Sequence, residues 1–252
     1  YWRDWSSDVC SSDLGLALEI GGMDFLDDGR LAVAIRKGEI WFLDGVYDDP
    51  PSNVAYKRFA TSLHEPLGLL NHNGDLYVAQ RSELTRLGDR DGDGVADEYL
   101  TADKGWGVTG HYHEYAYGPK RDGSGDLWIT LNIGLGLRGD QLNRIVPESA
   151  LGYKQGLWRG WGMKLHSDGQ LQPVCAGMRS PSGIGANSAG DMFYTDQQGN
   201  WVATNSLHHM RSGAFFHHAE ALASVTDPIS PIQEVEKVPS GLPMPVAVKQ
   251  IP

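Results

Sequence analysis

Cysteine is nearly absent from this sequence, which has only Cys10 and Cys175 among its 252 residues. Cys10 belongs to an N-terminal segment whose composition differs from that of the remaining chain, so Cys175 stands alone. A single thiol excludes an internal disulfide and a cysteine-based metal site. We therefore expect a fold that is held together without cross-links.

Basic clusters and long apolar runs are also missing. The chain has 21 Lys and Arg residues against 32 Asp and Glu residues, a net charge of -11. An acidic chain without basic runs argues against nucleic acid and anionic membranes as partners. No apolar stretch approaches the length of a membrane span, and only residues 216–224 show a helical period. These absences leave strands and turns as the main content.

The N-terminal segment YWRDWSSDVCSSDL, residues 1–14, has the features of neither a signal sequence nor an element of a fold. It lacks the basic start and apolar run of a secretory signal, and it has no helical or strand period. Residues 4–14 resemble a translated sequencing-library adapter, and a natural disordered N-terminus is the alternative. We expect residues 1–14 to be foreign to the fold and the true N-terminus to be missing.

Glycine, by contrast, is abundant, and it marks a repeat. Four stretches read as a short apolar strand, a polar turn and an alternating strand; their turn glycines are Gly29, Gly74, Gly125 and Gly190. Such turns need the positive φ that glycine adopts freely. Further strand pairs lie between the repeats, at residues 39–43 with 55–59 and at residues 161–166 with 171–174. Each repeat therefore has about four strands, the content of one propeller blade.

The repeat predicts an all-β chain, a β-propeller of four-stranded blades that is an incomplete part of a larger ring. The blades are expected over residues 15–215. Residues 216–252 are rich in proline and lack a glycine-turn unit, so they are expected to form the irregular start of a later, truncated blade. A small β-sandwich is the competing fold.

An acidic loop, Asp89 to Glu98 (DRDGDGVADE), follows the pattern of a calcium-binding loop. The candidate ligands are Asp89, Asp91, Asp93, the carbonyl group of Val95, Asp97 and Glu98. Calcium prefers six to eight hard oxygen ligands, and clustered carboxylates repel one another unless a cation offsets them. Position 12 is Leu100 instead of glutamate, so either Glu98 substitutes for that ligand or the site is weak. We expect a structural calcium that fastens a hairpin; a solvated acidic hairpin is the alternative.

Two histidines and one arginine are candidate functional residues. In an extended chain His111 and His113 lie on one side, where they could bind a metal, supply a general base, or be loop histidines held by neighbours. The adjacent pairs 208–209 and 217–218 are interpreted as surface or interface residues. Arg179 precedes an inner strand, where a fixed guanidinium suits a carboxylate or quinone ligand or pairs with a blade carbonyl.

Three segments carry a resemblance to a known family. Residues 176–201 (AGMRSPSGIGANSAGDMFYTDQQGNW), residues 63–87 and residues 158–177 resemble the soluble quinoprotein glucose and sorbosone dehydrogenase propellers. The sequence is most similar to the large propeller proteins of planctomycete-type bacteria, which often carry a separate haem-binding domain. The resemblance covers roughly residues 15–210.

The resemblance implies a six-bladed ring that holds pyrroloquinoline quinone (PQQ) and oxidises a sugar or alcohol hydroxyl. It implies that a histidine takes the hydroxyl proton, with His113 the better match and His111 the reserve. Arg179 matches the arginine that faces the quinone. Two positions depart from the family: Ser180 replaces an asparagine and Tyr112 an aspartate. The family's further cofactor-binding basic residues follow the position of Pro252, and its cofactor-bound calcium is distinct from the acidic loop.

Two functions remain open from the sequence. The first is a PQQ-dependent sugar or alcohol dehydrogenase, periplasmic or secreted, whose full-length protein has a haem or cytochrome domain as partner. The second is a non-catalytic secreted propeller that binds carbohydrate or protein. A shared fold does not choose between them.

Overall fold

The computed structural model describes residues 18–47, 49, 51, 53–108, 111–134, 157–197, 204–216, 218–225 and 227–232. The segment predicted to be foreign, residues 1–14, lies outside them, as does His217. The chain divides into two compact units, residues 1–101 and 102–252.

The first unit is built from two four-stranded sheets, each with its strands in chain order. One sheet consists of β1 (Ile20–Phe25), β2 (Leu31–Ile35), β3 (Glu39–Asp44) and β4 (Ala55–Ala60). The other consists of β5 (Leu69–His72), β6 (Asp75–Ala79), β7 (Leu84–Gly88) and β8 (Glu98–Asp103), and the boundary between the units falls within β8. The first strands of the two sheets, β1 and β5, pack against each other.

The second unit repeats this plan. One sheet consists of β9 (Ala116–Arg121), β10 (Leu127–Leu131), β11 (Trp161–Leu165) and β12 (Leu171–Ala176), and a three-stranded sheet consists of β13 (Pro181–Ala186), β14 (Met192–Asp196) and β15 (Ser206–His209). Again the first strands, β9 and β13, pack together. A 3₁₀ helix, Ala219–Ser224, follows. The prediction of an all-β chain with four-stranded blades is confirmed.

The repeat glycines sit where the sequence predicts turns. Gly29, Gly74, Gly125 and Gly190 have φ values of 89°, 81°, 93° and 87°, a region that side chains with a Cβ rarely adopt. Each connects the first two strands of its sheet in antiparallel register. The predicted hairpin at residues 161–174 is also present, with Leu165 opposite Leu171.

Each unit buries its own apolar core, and the pattern of each strand explains which side chains enter it. In β3 the buried residues alternate, as expected for a strand covered on one face. All five residues of β10 are buried, because the strand is covered on both faces. The core of the second unit includes Trp128, Cys175, Met178 and Tyr194. This core fixes the strand ends that carry the polar residues of the candidate site.

Candidate functional site

A cavity of about 350 Å³ lies in the second unit. Its volume falls at the lower end of the range for small-molecule sites. The lining is polar and aromatic; it consists of His113, Tyr115, Tyr117, Asn132, Ser180, Ser182, Thr195, Asp196, Gln197 and Asn205. Nearly all of these residues lie within one position of a strand start or a strand end, so the ends of the strands in the two sheets build the cavity.

The histidine segment reaches the cavity through a turn, which corrects one detail of the prediction. His111 and His113 do not lie in an extended chain, because the N–H of Glu114 donates to the carbonyl of His111 at 3.2 Å and closes a turn. The rings are nevertheless near each other, 5.5 Å apart between centroids. The N–H of His113 donates to Nδ1 of His111 at 3.2 Å. His113 lines the cavity, and His111 holds the backbone of His113 beside it.

Asn132 and Ile133, directly after β10, connect this turn to the arginine segment. The N–H of Asn132 donates to the carbonyl of Tyr115 at 3.0 Å, and the N–H of Ile133 donates to the carbonyl of Arg179 at 3.1 Å. Arg159 also donates to the Tyr115 carbonyl, at 2.9 Å. A continuous set of backbone hydrogen bonds therefore links the His113 turn, the end of β10 and the segment that contains Arg179.

Asp196 fixes the turn that precedes β13. Its carboxylate accepts hydrogen bonds from the backbone N–H groups of Arg179 at 2.9 Å, Ser180 at 2.8 Å and Gln197 at 2.9 Å. Asp196 is buried, and a buried carboxylate needs such donors. These three donors offset its charge, so the one acidic group among the lining residues is already compensated.

The Arg179 side chain lies against the lining without being part of it. Its Nη1 donates to Oε1 of Gln197 at 2.9 Å. Its Nε is buried and has no hydrogen-bond partner among the described residues. A buried guanidinium N–H without an acceptor suits a ligand oxygen. None of the described residues that line the cavity is itself a lysine or an arginine.

Tyr194 belongs to the apolar core of the second unit and does not line the cavity. It is fully buried. Burial, together with the nearby negative charge of Asp196, raises the pKa of Tyr194 well above its usual value. The phenol therefore stays neutral over the whole physiological range. His208, from one of the adjacent histidine pairs, stacks on the Tyr194 ring and does not enter the lining.

The acidic loop belongs to the first unit, between β7 and β8, and brings together three of its predicted ligands. Carboxylate oxygens of Asp89, Asp91 and Asp97 lie within 4.8 Å of one another. Burial alone would raise the pKa of Asp89, but hydrogen bonds from the N–H groups of Gly94, Gly92 and Asp93 hold that pKa below its usual value. A carboxylate that stays ionised is the form that binds a cation.

The other predicted ligands of the loop have different neighbours. Oδ1 of Asp93 accepts the N–H of Val95 at 2.8 Å. Glu98 pairs with Arg90 and with Arg86, and the Lys57 ammonium contacts the carbonyl of Asp93. The structure therefore places Glu98 in an ion-pair network outside the group of three aspartates.

Several lining residues escaped sequence reasoning, among them Asn132, Asp196 and Gln197. One signal could have found two of them. A buried polar residue ends or directly follows the second strand of three sheets: Gln80 after β6, Asn132 after β10 and Asp196 at the end of β14. A polar residue where the apolar pattern of a strand would continue indicates that the strand end has a function other than packing. Thr195 and Asn205 carry no comparable signal.

Comparison with known proteins rests on structure, because no protein-family model and no curated protein sequence matches the chain. An oxidoreductase of Thermus thermophilus, named as a glucose dehydrogenase, matches with a TM-score of 0.58 and 17% identity over 81% of this chain and 65% of that one. The PQQ-bound aldose sugar dehydrogenase of Streptomyces coelicolor matches with a TM-score of 0.57 and 14% identity, over 79% and 62%.

A third match is the PQQ domain of the pyranose dehydrogenase of Coprinopsis cinerea, with a TM-score of 0.54 and 11% identity over 77% of this chain and 48% of that domain. The chain has a β-propeller fold. At these identities the comparison shows the fold alone, and the chain spans less than two thirds of the length of each of these structures. Among the described residues, no helix is long and apolar enough to cross a membrane.

Proposed function

We propose that this chain is part of a PQQ-dependent sugar or alcohol dehydrogenase and that the cavity in its second unit contributes to the active site. The observation that carries the proposal is the set of backbone hydrogen bonds that holds the His113 turn and the Arg179 segment beside one cavity, through Asn132 and Ile133. The likeness to PQQ-bound sugar dehydrogenase structures supports the choice of cofactor.

The residues beside the cavity fit a quinone with carboxylate groups. The buried Nε of Arg179 has no acceptor among the described residues, and quinone and carboxylate oxygens are acceptors that suit a guanidinium. The single carboxylate in the lining, Asp196, accepts three backbone N–H groups, which reduces its repulsion of an anionic ligand. When bound, PQQ supplies the two-electron acceptor for the hydride of the alcohol carbon.

In this proposal His113 acts as the general base, taking the proton of the substrate hydroxyl group as the alcohol is oxidised to a carbonyl. Imidazole suits that role because its ordinary pKa lies near neutrality. His111 positions His113 through the hydrogen bond to its backbone. Arg179 stabilises negative charge on the ligand oxygen that it faces. The neutral amides and hydroxyls of the lining bind the other hydroxyl groups of a sugar.

The acidic loop is proposed to bind calcium in a structural role, apart from the oxidation chemistry. Asp89, Asp91 and Asp97 offer carboxylate oxygens within one coordination sphere, and their loop follows the calcium-binding spacing through Gly94. The ion would fasten the connection between β7 and β8. Asp93 and the Val95 carbonyl are candidate further ligands, and Glu98 would have to leave Arg90 to join them.

The dehydrogenase proposal includes a cellular location and an electron-accepting partner domain. Resemblance to the quinoprotein dehydrogenases suggests a periplasmic or secreted enzyme, and the related large propeller proteins suggest a haem-binding domain of the same full-length protein as electron acceptor. A c-type haem segment elsewhere in the gene would support that electron path.

A second function is favoured by one specific observation: no described lining residue is a lysine or an arginine. A cavity lined mainly by tyrosines, amides and hydroxyls can bind carbohydrate without any cofactor. In that case the protein is a carbohydrate-binding propeller, and Arg179 has only a structural role.

Reconstituted activity separates the two functions. The protein is incubated with PQQ and calcium, and dye reduction is followed with a panel of aldoses and alcohols. We expect saturable turnover that falls at least about 100-fold in His113→Asn and in Arg179→Ala. His166→Gln is the control, because His166 binds Asp126 and Gln172 outside the cavity. Sugar binding without turnover would favour the carbohydrate-binding function instead.

A further inference from the structure

Asn132 carries a polar atom at the cavity that is unsatisfied among the described residues. Asn132 is 2% exposed and lines the cavity. Its Oδ1 is buried and has no hydrogen-bond partner among the described residues. Its backbone N–H is fixed by the Tyr115 carbonyl at 3.0 Å. The main chain is thus anchored while the side-chain acceptor remains unsatisfied.

A buried acceptor that lacks a donor costs folding free energy, and proteins rarely retain one without a reason. Oδ1 can only accept, so its missing partner is an O–H or N–H group. The neighbouring lining is rich in hydroxyl and amide groups, which suit a ligand with several hydroxyls. The quinone and carboxylate oxygens of PQQ do not meet this need, because they accept hydrogen bonds.

We infer that Asn132 is a substrate-binding residue whose Oδ1 accepts a hydrogen bond from a hydroxyl group of the sugar or alcohol substrate. This inference rests on the proposed function of the cavity and deepens it. Asn132 touches the substrate at a hydroxyl, while His113 takes the proton from the hydroxyl that is oxidised. The backbone N–H of Ile133 donates a hydrogen bond to the carbonyl of Arg179. The position of the neighbouring residue Asn132 therefore depends on the segment that contains Arg179.

Thr130, near the end of β10, supplies a matched control residue for Asn132. It is fully buried on β10, two residues before Asn132, and its Oγ1 also lacks a hydrogen-bond partner among the described residues. Thr130 does not line the cavity. Replacement of an unsatisfied polar atom in the core should leave ligand binding unchanged. Replacement of one that contacts the ligand should weaken binding.

The test compares ligand binding with stability in the purified protein. Binding of glucose, xylose and glycerol is titrated by saturation-transfer NMR, with PQQ absent and then present, and urea unfolding is measured without ligand. We expect Asn132→Leu to weaken binding of the best ligand at least tenfold while its midpoint in urea stays equal or rises. Thr130→Val should leave binding unchanged, and Asn132→Asp, which keeps an acceptor oxygen, should retain most of the affinity.

The outcomes separate this inference from the function on which it rests. Unchanged binding in Asn132→Leu, with binding intact in the unmodified protein, overturns the role of Asn132 alone. Equal loss of binding in Thr130→Val overturns it too, because the effect would then come from the core. If none of the three ligands binds the unmodified protein with or without PQQ, both the inference and the proposed function fail. If Asn132→Leu does not fold, Asn132→Asp is compared with Asn132→Ala. An equal loss of ligand binding in these two variants overturns the role of Oδ1 as a hydrogen-bond acceptor.

Discussion

The backbone N–H of Arg179 donates to Oδ2 of Asp196 at 2.9 Å. This bond connects the start of β13 to the end of β14, and Ser180 adds a second bond at 2.8 Å to the other oxygen. The place of Arg179 beside the cavity therefore depends on a carboxylate seventeen residues later in the chain. Asp196 holds Arg179 through the backbone N–H of the arginine. The side-chain Nε of Arg179 therefore remains available to a ligand.

Asp196→Asn should loosen this arrangement. The amide keeps one acceptor oxygen but loses the negative charge, and three backbone N–H groups then compete for it. Hydrogen bonds to charged groups are worth about 1.5–3 kcal/mol each, so we expect a loss of at least about 2 kcal/mol in the free energy of unfolding, measured by urea denaturation. Asp191→Asn, at a half-exposed carboxylate on the same hairpin, should change it by less than about 0.5 kcal/mol. Equal effects of the two substitutions would argue against the account.

Gly160 should tolerate no side chain. Its φ is 78°, and a Cβ there would lie 2.5 Å from Cγ2 of Ile133 and 2.6 Å from Cβ of Ala221. Gly160→Ala therefore adds overpacking, about 1–3 kcal/mol, to the cost of the left-handed backbone, about 1–2 kcal/mol. Gly169 has a φ of 84° and open space around its Cβ position, so Gly169→Ala isolates the backbone cost. Urea unfolding of both variants should show Gly160→Ala to be the more damaging, and the reverse order would contradict the packing.

Asp122 should contribute to acid sensitivity. Burial opposes its charge, but hydrogen bonds from the Trp128 indole and the Lys164 ammonium lower the pKa of Asp122 overall. A carboxyl group whose pKa is lowered in the folded state stabilises the fold above its unfolded pKa, about 3.9. That stability is lost as pH falls through the lower, folded pKa, because the unfolded state then takes up the proton more readily.

The measurement is urea stability between pH 7 and pH 2.5. The unmodified protein should lose stability steeply below about pH 4, and Asp122→Asn should show a shallower decline there with lower stability at neutral pH. An identical slope in both proteins would show that Asp122 is not a source of the acid sensitivity.

Calcium should stabilise the first unit through the acidic loop. Addition of millimolar calcium is expected to raise the melting temperature, because ions that bind only the folded state stabilise it by mass action. Asp89→Asn should abolish the shift. Asp28→Asn is the control, since Asp28 pairs with Arg30 away from the loop. A melting temperature that calcium leaves unchanged would favour the solvated acidic hairpin.

Much of the fold was accessible from the sequence because its signals are local. Gly29 and its three counterparts are required by φ at the turns, and alternation in β3 identifies the buried face. The candidate site was only partly accessible. His113 and Arg179 were singled out by residue type and resemblance, but the hydrogen bonds that hold their segments beside one cavity join residues far apart in the chain, as from Ile133 to Arg179.

The remaining differences have physical causes. His111 and His113 lie in a turn because the N–H of Glu114 finds the His111 carbonyl, a choice that spacing alone does not reveal. Glu98 faces Arg90, a partner that a pattern of acidic residues cannot identify. The proposed role of Asn132 depends on its unsatisfied Oδ1 atom. That atom can be recognised only when the positions of all the neighbouring groups are known.

Equilibrium binding of PQQ tests the central claim most directly, namely that Arg179 and the cavity beside it receive the quinone. The quinone is titrated against the protein and followed by its absorption spectrum, with Arg179→Ala as the variant and Arg30→Ala, which removes an exposed ion pair, as the control. We predict saturable binding that weakens at least about tenfold in Arg179→Ala and is unchanged in Arg30→Ala, since one charge-assisted hydrogen bond is worth about 1.5–3 kcal/mol. Absence of saturable binding, or equal affinity in all three proteins, would contradict the account.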